Sequence, residues 1–261
     1  MTNLMTGKVA VVTGAGRGIG RAVASVFVRA GATVVVVDRV RANVEIVVDE
    51  LNEVGKAFGI VASVGEESGW KAISDHVLSL GSTWDILVNC AGVGGPLVML
   101  DRLPISDCLD MVTTNVTGPI LGCRAASKIM KKQRSGIIIN VSSALAHRVQ
   151  PGLAVYSGTK AASIQLSAVL AAELVEYDVQ VFSIHPGVVD TALVERQLKG
   201  DSGEGSFTER IRNMQLLTPF EAAGTFLLLA SGMARDMNGK FVVFNDPDVV
   251  GRVAECLAQL K

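Results

Sequence analysis

The chain has 261 residues, of which 49% are hydrophobic and 19% charged, and its formal net charge is −1. Its scattered charges form no basic run that would favour nucleic acid as a partner. No apolar run reaches the roughly 18 residues of a spanning helix, and the first residues lack the pattern of a secretory signal. Four cysteines and three histidines show no paired ligand spacing, so we expect neither a metal site nor disulfides. These features predict a soluble, cytoplasmic protein with no membrane contact.

Short runs rich in Val and Ile alternate along the chain with longer segments of helical period. Runs without polar alternation are typical of strands buried on both faces. The repeated strand–helix order predicts a parallel sheet, and right-handed crossovers make it doubly wound, with helices on both faces. No linker divides the chain, so we predict one α/β domain over residues 1–261. The predicted strands span residues 9–14, 33–38, 58–63, 85–89, 136–142, 179–185 and 240–245.

The first predicted strand runs directly into the glycine-rich sequence TGAGRGIG, from Thr13 to Gly20. Gly14, Gly18 and Gly20 allow a tight turn and a close approach of the backbone to a pyrophosphate. The helix that follows presents free N–H groups and a partial positive charge to a phosphate. A glycine-rich turn between the first strand and a helix therefore favours nucleotide binding.

The second predicted strand ends in Asp38, 18 residues after Gly20. A carboxylate at this position can accept hydrogen bonds from both adenosine ribose hydroxyls of NAD. It would repel the 2′-phosphate of NADP by several kcal/mol at about 5 Å and an effective dielectric constant near 20. The sequence therefore favours NAD over NADP, although Arg39 or Arg41 would accommodate NADP if either turned toward the ribose.

A polar, glycine-rich segment follows the sixth predicted strand and includes KGDSGEGS at residues 199–206. Such a composition is typical of loops. Ligands of open α/β sheets bind at the carboxyl ends of the strands, where this segment begins. Composition leaves open a plain surface loop or a substrate lid, and we assign residues 192–215 as a substrate-binding loop.

The sequence YSGTK places Tyr156 four residues before Lys160, on the same face of a predicted helix. Five further motifs occur in a fixed order with it, namely TGAGRGIG, VNCAG at 88–92, Asn115, INVSS ending at Ser143 and HPGVVDT at 185–191. Together they resemble the single-domain branch of the short-chain dehydrogenase/reductase family, over nearly the whole chain. The resemblance implies a Rossmann fold and an oxidoreductase activity.

The resemblance also implies the catalytic roles. Tyr156 exchanges a proton with the substrate oxygen, Ser143 polarises that oxygen, Lys160 holds the nicotinamide ribose, and Asn115 orders a water that connects Lys160 to solvent. A free tyrosine has a pKa near 10. An ammonium about 5 Å away, at an effective dielectric constant near 20, would lower that pKa by about two units. We therefore expect Lys160 to bring Tyr156 toward neutrality.

Further positions are carried over from the family as expectations. Two depart from its usual pattern: Cys90 replaces an Asn of the N-N-A-G motif, and Ser63 replaces an Asp against the adenine. The implied cofactor residues are Gly14, Arg17, Gly18, Ile19, Gly20, Asp38, Ser63, Val64, Asn89, Ala91, Gly92, Tyr156, Lys160, Pro186, Gly187, Val189 and Thr191. The implied substrate residues are Ser143, Leu145, His147 and Tyr156.

The predicted helix over residues 155–177 is apolar around much of its circumference, which indicates a second buried face beside the one that covers the sheet. In the family that face contacts another subunit, so we predict a homo-oligomer, with a tetramer favoured and a dimer as the alternative. The predicted C-terminal strand departs from the family at residues 246–248, where Asp-Pro-Asp replaces a glycine pair.

The leading functional prediction is an NAD-dependent oxidoreductase that interconverts a small-molecule secondary alcohol and a ketone, with Tyr156 as general acid/base. The first alternative is an NADPH-dependent 3-oxoacyl-thioester reductase of the same fold. The second is a dinucleotide-sensing protein without turnover. The set of Asn115, Ser143, Tyr156 and Lys160 counts against the sensor, which would need no proton relay.

Overall fold

The computed structural model describes residues 4–81, 83–198 and 206–259. Its seven strands form one parallel sheet in the order β3-β2-β1-β4-β5-β6-β7. This Rossmann-like α/β architecture confirms the predicted fold class. The strands are β1 Val9–Thr13, β2 Thr33–Asp38, β3 Lys56–Val61, β4 Ile86–Asn89, β5 Gly136–Val141, β6 Val179–His185 and β7 Phe241–Val243.

Ten α-helices connect and flank the strands in the described part of the chain. They are α1 Gly18–Arg29, α2 Arg41–Asn52, α3 Glu67–Ser79, α4 Ile105–Val112, α5 Gly118–Gln133, α6 Ala154–Leu174, α7 Ala192–Gln197, α8 Phe207–Arg212, α9 Pro219–Ala230 and α10 Pro247–Ala258. Short 3₁₀ turns lie at residues 100–102, 144–146, 175–177 and 235–237, and a π-helical turn spans Thr113–Thr117.

The two faces of the sheet contribute to two hydrophobic clusters, because successive side chains of a strand point to opposite faces. In β2, Val34 and Val36 pack in the cluster that includes residues of α1, α2, α9 and α10. Val35 and Val37 pack in the cluster that includes residues of α3, α5 and α6. Burial on both faces explains why the strand sequences lack polar alternation.

The last strand is shorter than predicted: β7 ends at Val243, whereas the apolar run suggested residues 240–245. The chain then turns at Asp246, whose Oδ1 accepts a hydrogen bond from the N–H of Asp248 at 3.0 Å. Pro247 occupies the first turn of α10, a position where its missing N–H costs nothing. The Asp-Pro-Asp departure therefore begins a capped helix, and this helix packs against α9.

The strand order places a topological switch point beside β1, since β2 and β4 flank it on opposite sides. The loops that leave the carboxyl ends of β1 and β4 separate there and open a crevice. Among the residues that the structure describes, no helix is both long enough and apolar enough to cross a membrane.

Candidate active site

A cavity of about 980 Å³ opens at the carboxyl ends of the strands. Its walls come from the loops after β1, β2, β3, β4, β5 and β6, and from α7 and α8. One elongated site therefore runs across the switch point, from the end of β2 to the end of β6.

The glycine-rich turn forms the floor of this cavity beside β1. Gly14 has φ +63°, and a Cβ atom there would lie 2.7 Å from the Cα of Ala91. A Cβ atom on Gly20 would overlap the carbonyl of Gly14, so the helix can begin this close to the strand only without a side chain. The turn lines the cavity through Gly14, Arg17, Gly18, Ile19 and Gly20.

Helix α1 begins at Gly18 with no side-chain cap and no acidic residue in its first turn. Its first N–H groups therefore lack the acceptors that capping normally provides. Together with the positive end of the helix dipole, they suit a pyrophosphate. The space that the glycines leave open and the donor set of α1 both fit a dinucleotide.

Asp38 lies at the end of β2, beside the turn, and lines the cavity. Its Oδ2 accepts a hydrogen bond from the N–H of Gly16 at 3.1 Å, and its Oδ1 accepts one from Val40 at 3.1 Å. Two backbone N–H groups thus fix the carboxylate in place. Its remaining lone pairs can accept hydrogen bonds from ribose hydroxyls.

The two neighbouring arginines are directed toward carboxylates. A nitrogen of Arg39 lies 3.8 Å from Asp110, and one of Arg41 lies 3.7 Å from Glu45. Asn43 also lines this end of the cavity and was missed by the sequence analysis. Its position five residues after Asp38, in the first turn of α2, is the signal that could have found it.

The segment after β4 is held by Thr13, whose Oγ1 accepts hydrogen bonds from Cys90 N at 3.0 Å and Ala91 N at 3.1 Å. Asn89, an expected cofactor residue, does not line the cavity. Its buried amide donates to Asn140 Oδ1 at 2.8 Å and so joins β4 to β5. Asn89 therefore stabilises the pairing of β4 and β5 beneath the site rather than lining the cavity.

The other cofactor positions do reach the cavity. Thr191 extends toward the glycine turn, since its Cγ2 lies 3.4 Å from where a Cβ of Gly18 would be. The remaining lining residues expected for the cofactor are Ser63, Val64, Ala91, Gly92, Pro186, Gly187 and Val189.

Ser143, Tyr156 and Lys160 line one wall of the cavity. Ser143 follows β5, and its Oγ accepts a hydrogen bond from Leu145 N at 3.2 Å. Tyr156 and Lys160 lie one helical turn apart in α6, with Lys160 Nζ 5.7 Å from the Tyr156 ring centroid. Lys160 Nζ also donates to the carbonyl of Val141 at 2.9 Å.

Asn115 lies behind this wall, in the π-helical turn between α4 and α5. Its Nδ2 donates to Val93 O at 2.8 Å and Thr159 Oγ1 at 3.1 Å, and its Oδ1 accepts from Val93 N at 2.9 Å. A Cβ on Gly92 would lie 3.6 Å from both Asn115 Oδ1 and Lys160 Nζ. Asn115 therefore lies outside the cavity and fixes Val93 and Thr159, which flank the region of Lys160. π-helical turns of this kind often mark functional sites.

The expected fall in the pKa of Tyr156 is not found. Burial raises that pKa to about 12, and hydrogen bonding to Ser143 opposes the rise. Burial also lowers the pKa of Lys160 to about 8, so the ammonium is still mostly charged at neutral pH. At that pH, Tyr156 is a neutral phenol that can donate a proton.

The end of the cavity beside Ser143, where we expect the substrate, differs from expectation at one residue. Leu145 lines it, but His147 does not, because its ring packs edge-on against Phe241 with centroids 5.1 Å apart. Arg148 and Gln197 do line it. Gln197 belongs to the predicted substrate-binding loop 192–215, but neither residue was named individually from the sequence. Gln197 is buried, and a buried glutamine in a polar segment gives no individual sequence signal.

Comparison with known proteins gives consistent results. A family model described as short chain dehydrogenase matches residues 8–201. The chain is 32% identical to the 3-oxoacyl-(acyl-carrier-protein) reductase of Aquifex aeolicus, over 92% of this chain and 97% of that protein. It is 32% identical to the cyclohexanol dehydrogenase of a Rhodococcus species, over 91% and 94%. A structure of NAD⁺-bound xylitol dehydrogenase superposes with a TM-score of 0.85 at 26% identity, covering 92% of this chain and 98% of that one.

Proposed function

Because the chain belongs to the short-chain dehydrogenase family, we propose that it is an NAD(H)-dependent oxidoreductase that interconverts a secondary alcohol and a ketone. One observation carries the proposal. Ser143, Tyr156 and Lys160 line the same cavity whose other end is formed by the glycine turn and Asp38. A proton donor and a dinucleotide cradle therefore share one continuous space.

The residues of the chain fit a nicotinamide dinucleotide along this cavity. The N–H groups of the turn and of α1 would hold its pyrophosphate, and Asp38 would accept hydrogen bonds from the adenosine ribose. Lys160 would donate to the nicotinamide ribose, and the segment from Pro186 to Thr191 would border the carboxamide. When bound, the nicotinamide supplies hydride-transfer chemistry.

The proton chemistry belongs to the chain's own side chains. In ketone reduction, the Ser143 hydroxyl donates a hydrogen bond to the carbonyl oxygen and stabilises the charge that develops there. Tyr156 transfers its phenolic proton to that oxygen, which leaves a tyrosinate. The Lys160 ammonium stabilises this anion by its positive charge. Alcohol oxidation runs the same proton transfer in reverse and requires the tyrosinate as base.

Asp38 supports NAD as the cofactor. A 2′-phosphate about 5 Å from its carboxylate would meet a repulsion of about 3 kcal/mol at an effective dielectric constant near 20. We expect tighter binding of NADH than of NADPH by fluorescence titration, and Asp38→Asn should reduce that preference by about tenfold or more. Preference for NADPH in the wild-type protein would contradict this reading of Asp38.

An NADPH-dependent 3-oxoacyl-thioester reductase is the second candidate, favoured by the 32% identity with the Aquifex aeolicus reductase. Cofactor preference and turnover of a 3-oxoacyl thioester distinguish it from the leading proposal. A sensor without turnover is the third candidate, which the presence of Ser143, Tyr156 and Lys160 on one cavity wall disfavours.

The experiment that tests the proposal follows NADH formation and consumption across a panel of secondary alcohols and ketones. The wild-type protein runs beside Tyr156→Phe. Turnover that the variant loses would support the proton-transfer role. Absence of turnover on every compound, with NADH still bound, would favour the sensor.

We also propose that the chain forms one domain in which residues 192–215 make the substrate-binding segment. Residues 199–205 of this segment lie outside the described residues. The residues that flank this segment on either side are joined by two backbone hydrogen bonds. Asp190 N donates to Leu217 O at 2.9 Å, and Leu217 N donates to Val188 O at 3.0 Å. Helices α7 and α8 lie between these ends and line the cavity.

The outer face of α6 supports a homo-oligomer, with a tetramer favoured. Val169 on α6 and Ile120 on α5 are each 46% exposed, and Val175 beyond α6 is 64% exposed. Burial of such apolar side chains in a subunit contact would be favourable by about 25 cal/mol per Å². Sedimentation velocity should give an oligomer at micromolar concentration, and a monomer would contradict the proposal.

We propose a cytoplasmic location because the cysteines are free thiols. Cys90, Cys108, Cys123 and Cys256 are all free thiols, as is usual in reducing compartments. Cell fractionation with a tagged chain would test this, and recovery from an oxidising compartment would contradict it.

A further inference from the structure

The charges that line the cavity are unevenly distributed between its two ends. Arg17, Asp38 and Arg39 lie around the ends of β1 and β2. Asp190 also lines the cavity and precedes Thr191, which lies beside the glycine turn. The other lining cations are Lys160 of the catalytic wall, and Arg148 and Arg210.

Arg148 is fixed close to the catalytic wall by the turn that follows Ser143. Its backbone N–H donates to Ala144 O at 3.0 Å. Its charge also acts on His185, at the end of β6: burial chiefly, and Arg148 in addition, lower the pKa of that histidine to about 4. His185 is therefore neutral at physiological pH, and the positive charge in this part of the cavity resides on arginine.

No hydrogen bond or ion pair involves the Arg148 side chain within residues 4–81, 83–198 and 206–259. Many other arginines of the chain do pair with carboxylates, including Arg21, Arg196, Arg235 and Arg252. An exposed guanidinium on a cavity wall, without a neutralising group among the described residues, is a ready anion-binding group. Its planar fork matches a carboxylate with two parallel hydrogen bonds.

The end of β2, where an adenosine 2′-phosphate would lie, is far from Arg148. Asp38 ends β2 and His185 ends β6, and four strand spacings separate these two strands. At about 4.8 Å per spacing, the distance is about 19 Å. Arg148 acts on His185 and follows Ser143, so it lies at the substrate end, far from an adenosine 2′-phosphate.

Two further side chains place hydrogen-bond donors around this end of the cavity. Gln197 is 5% exposed and lines the cavity, and its Nε2 has no hydrogen-bond partner in the structure. Arg210 of α8 donates to Gln150 Oε1 at 3.2 Å, and Gln150 lies two residues after Arg148. The donors that border the cavity here therefore come from α7, α8 and the loop after β5.

The rest of this wall is apolar and includes Leu145, Val149, Val188, Leu193 and Met214. Such a surface favours a hydrocarbon body, whereas Arg148 favours a negative end. We propose that the natural ketone or alcohol has an apolar body ending in a carboxylate, which Arg148 binds at the substrate end of the cavity. This inference rests on the proposed alcohol–ketone activity.

The test compares methyl ketones that carry a terminal carboxylate, in increasing chain lengths, with the methyl ester of each. NADH oxidation gives kcat and KM for wild type, Arg148→Met, Arg148→Lys and Arg212→Met. The last is a matched control, since Arg212 is an exposed arginine of α8 that does not line the cavity. It removes the same charge from the protein without touching the site.

We expect the wild-type enzyme to prefer the best carboxylate over its ester by about tenfold to about 100-fold in kcat/KM, as for one charge-assisted contact. Arg148→Met should lose this preference through KM, while kcat for the ester is unchanged. Arg148→Lys should retain part of it, and Arg212→Met should behave as wild type. Added salt should weaken the reaction of the acid and leave that of the ester unchanged.

Equal kcat/KM for acid and ester in the wild-type enzyme would overturn the inference. An equal loss for both in Arg148→Met would also overturn it, since that result indicates a structural role. Titration of the enzyme–NADH complex with the same pairs, followed by NADH fluorescence, keeps the two proposals separate. If no ketone turns over, the proposed function fails. Tighter binding of the acid in wild type, but not in Arg148→Met, would still support the anion site, and equal binding would overturn it.

Discussion

The dinucleotide end and the substrate end of the cavity are built in different ways. The dinucleotide end is made of backbone: the glycine turn, the start of α1 and a carboxylate fixed by two N–H groups. The substrate end is made of side chains on loops and short helices, such as Val149 at 96% exposure and Met214 at 50%. Backbone contacts tolerate few sequences, whereas exposed side chains can change without loss of the fold. We therefore expect substitutions at the first end to impair dinucleotide binding, and substitutions at the second end to change substrate preference.

The largest expected effect lies where the two ends meet. Tyr156→Phe keeps the ring and removes only the proton donor, so kcat should fall by about 10³-fold, within the usual range for general acid catalysis. NADH affinity and the melting temperature should stay near the wild-type values. A variant that kept more than a tenth of the wild-type kcat would contradict the assigned role.

Gly14→Ala tests the backbone construction of the dinucleotide end. The added Cβ would lie 2.7 Å from Ala91 Cα, so we expect a loss of about 3 kcal/mol in unfolding free energy. NADH affinity should fall by more than about tenfold. Gly7→Ala is the matched control, because Gly7 has φ +77° with no atom within 4 Å of the added Cβ. Gly7→Ala should cost about 1 kcal/mol, for the left-handed backbone alone, and leave NADH binding intact. Equal effects of the two variants would contradict the steric argument.

Lys160→Met should raise stability while it abolishes turnover. Burial lowers the pKa of Lys160 from its ordinary value of 10.5 to about 8, so holding it charged at pH 7 costs about 3 kcal/mol. The lost hydrogen bond to Val141 O offsets part of the gain, which leaves an increase of about 1–2 kcal/mol in unfolding free energy by urea titration.

The pH dependence provides a second readout for the same variant. Between pH 8 and 10.5 the unfolded wild-type chain binds more protons than the folded one at this lysine, so its contribution to stability rises with pH. The stability difference between Lys160→Met and wild type should therefore shrink across that window. A constant difference would show that burial of the charge is not its cause.

The smallest expected effect is at the substrate end. Met214→Ala removes part of a half-exposed apolar side chain from the cavity wall, worth about 1 kcal/mol of substrate binding. KM for an apolar ketone should rise about fivefold, with NADH affinity and melting temperature unchanged. A loss of NADH affinity as large as the rise in KM would show that Met214 affects both ends of the cavity, which contradicts the prediction.

Individual residues show which parts of the site could be predicted from the sequence and which could not. Ser143, Tyr156 and Lys160 were predicted from the resemblance that their motifs carry, and the structure brings them to one wall of the cavity. Asn89 and His147 also follow motifs that predicted site residues, but neither lines the cavity. Asn89 bonds to Asn140 beneath the site, and His147 packs against Phe241. The motif fixes which strand end a residue follows, but the direction of its side chain depends on packing partners far away in the chain.

The sequence by itself determined the fold class, the glycine-rich turn after the first strand, and the placement of Tyr156 and Lys160 on one helix face, because each depends on local features. Strand burial appears as uninterrupted Val and Ile, a tight turn as glycine, and a shared helix face as a four-residue spacing. Only the tertiary structure decided the pKa of Tyr156, which burial among residues from distant parts of the chain raises to about 12. It also decided which side chains line the proposed substrate end, where Arg148, Gln197 and Arg210 border one cavity although they come from separate segments whose approach no local pattern specifies.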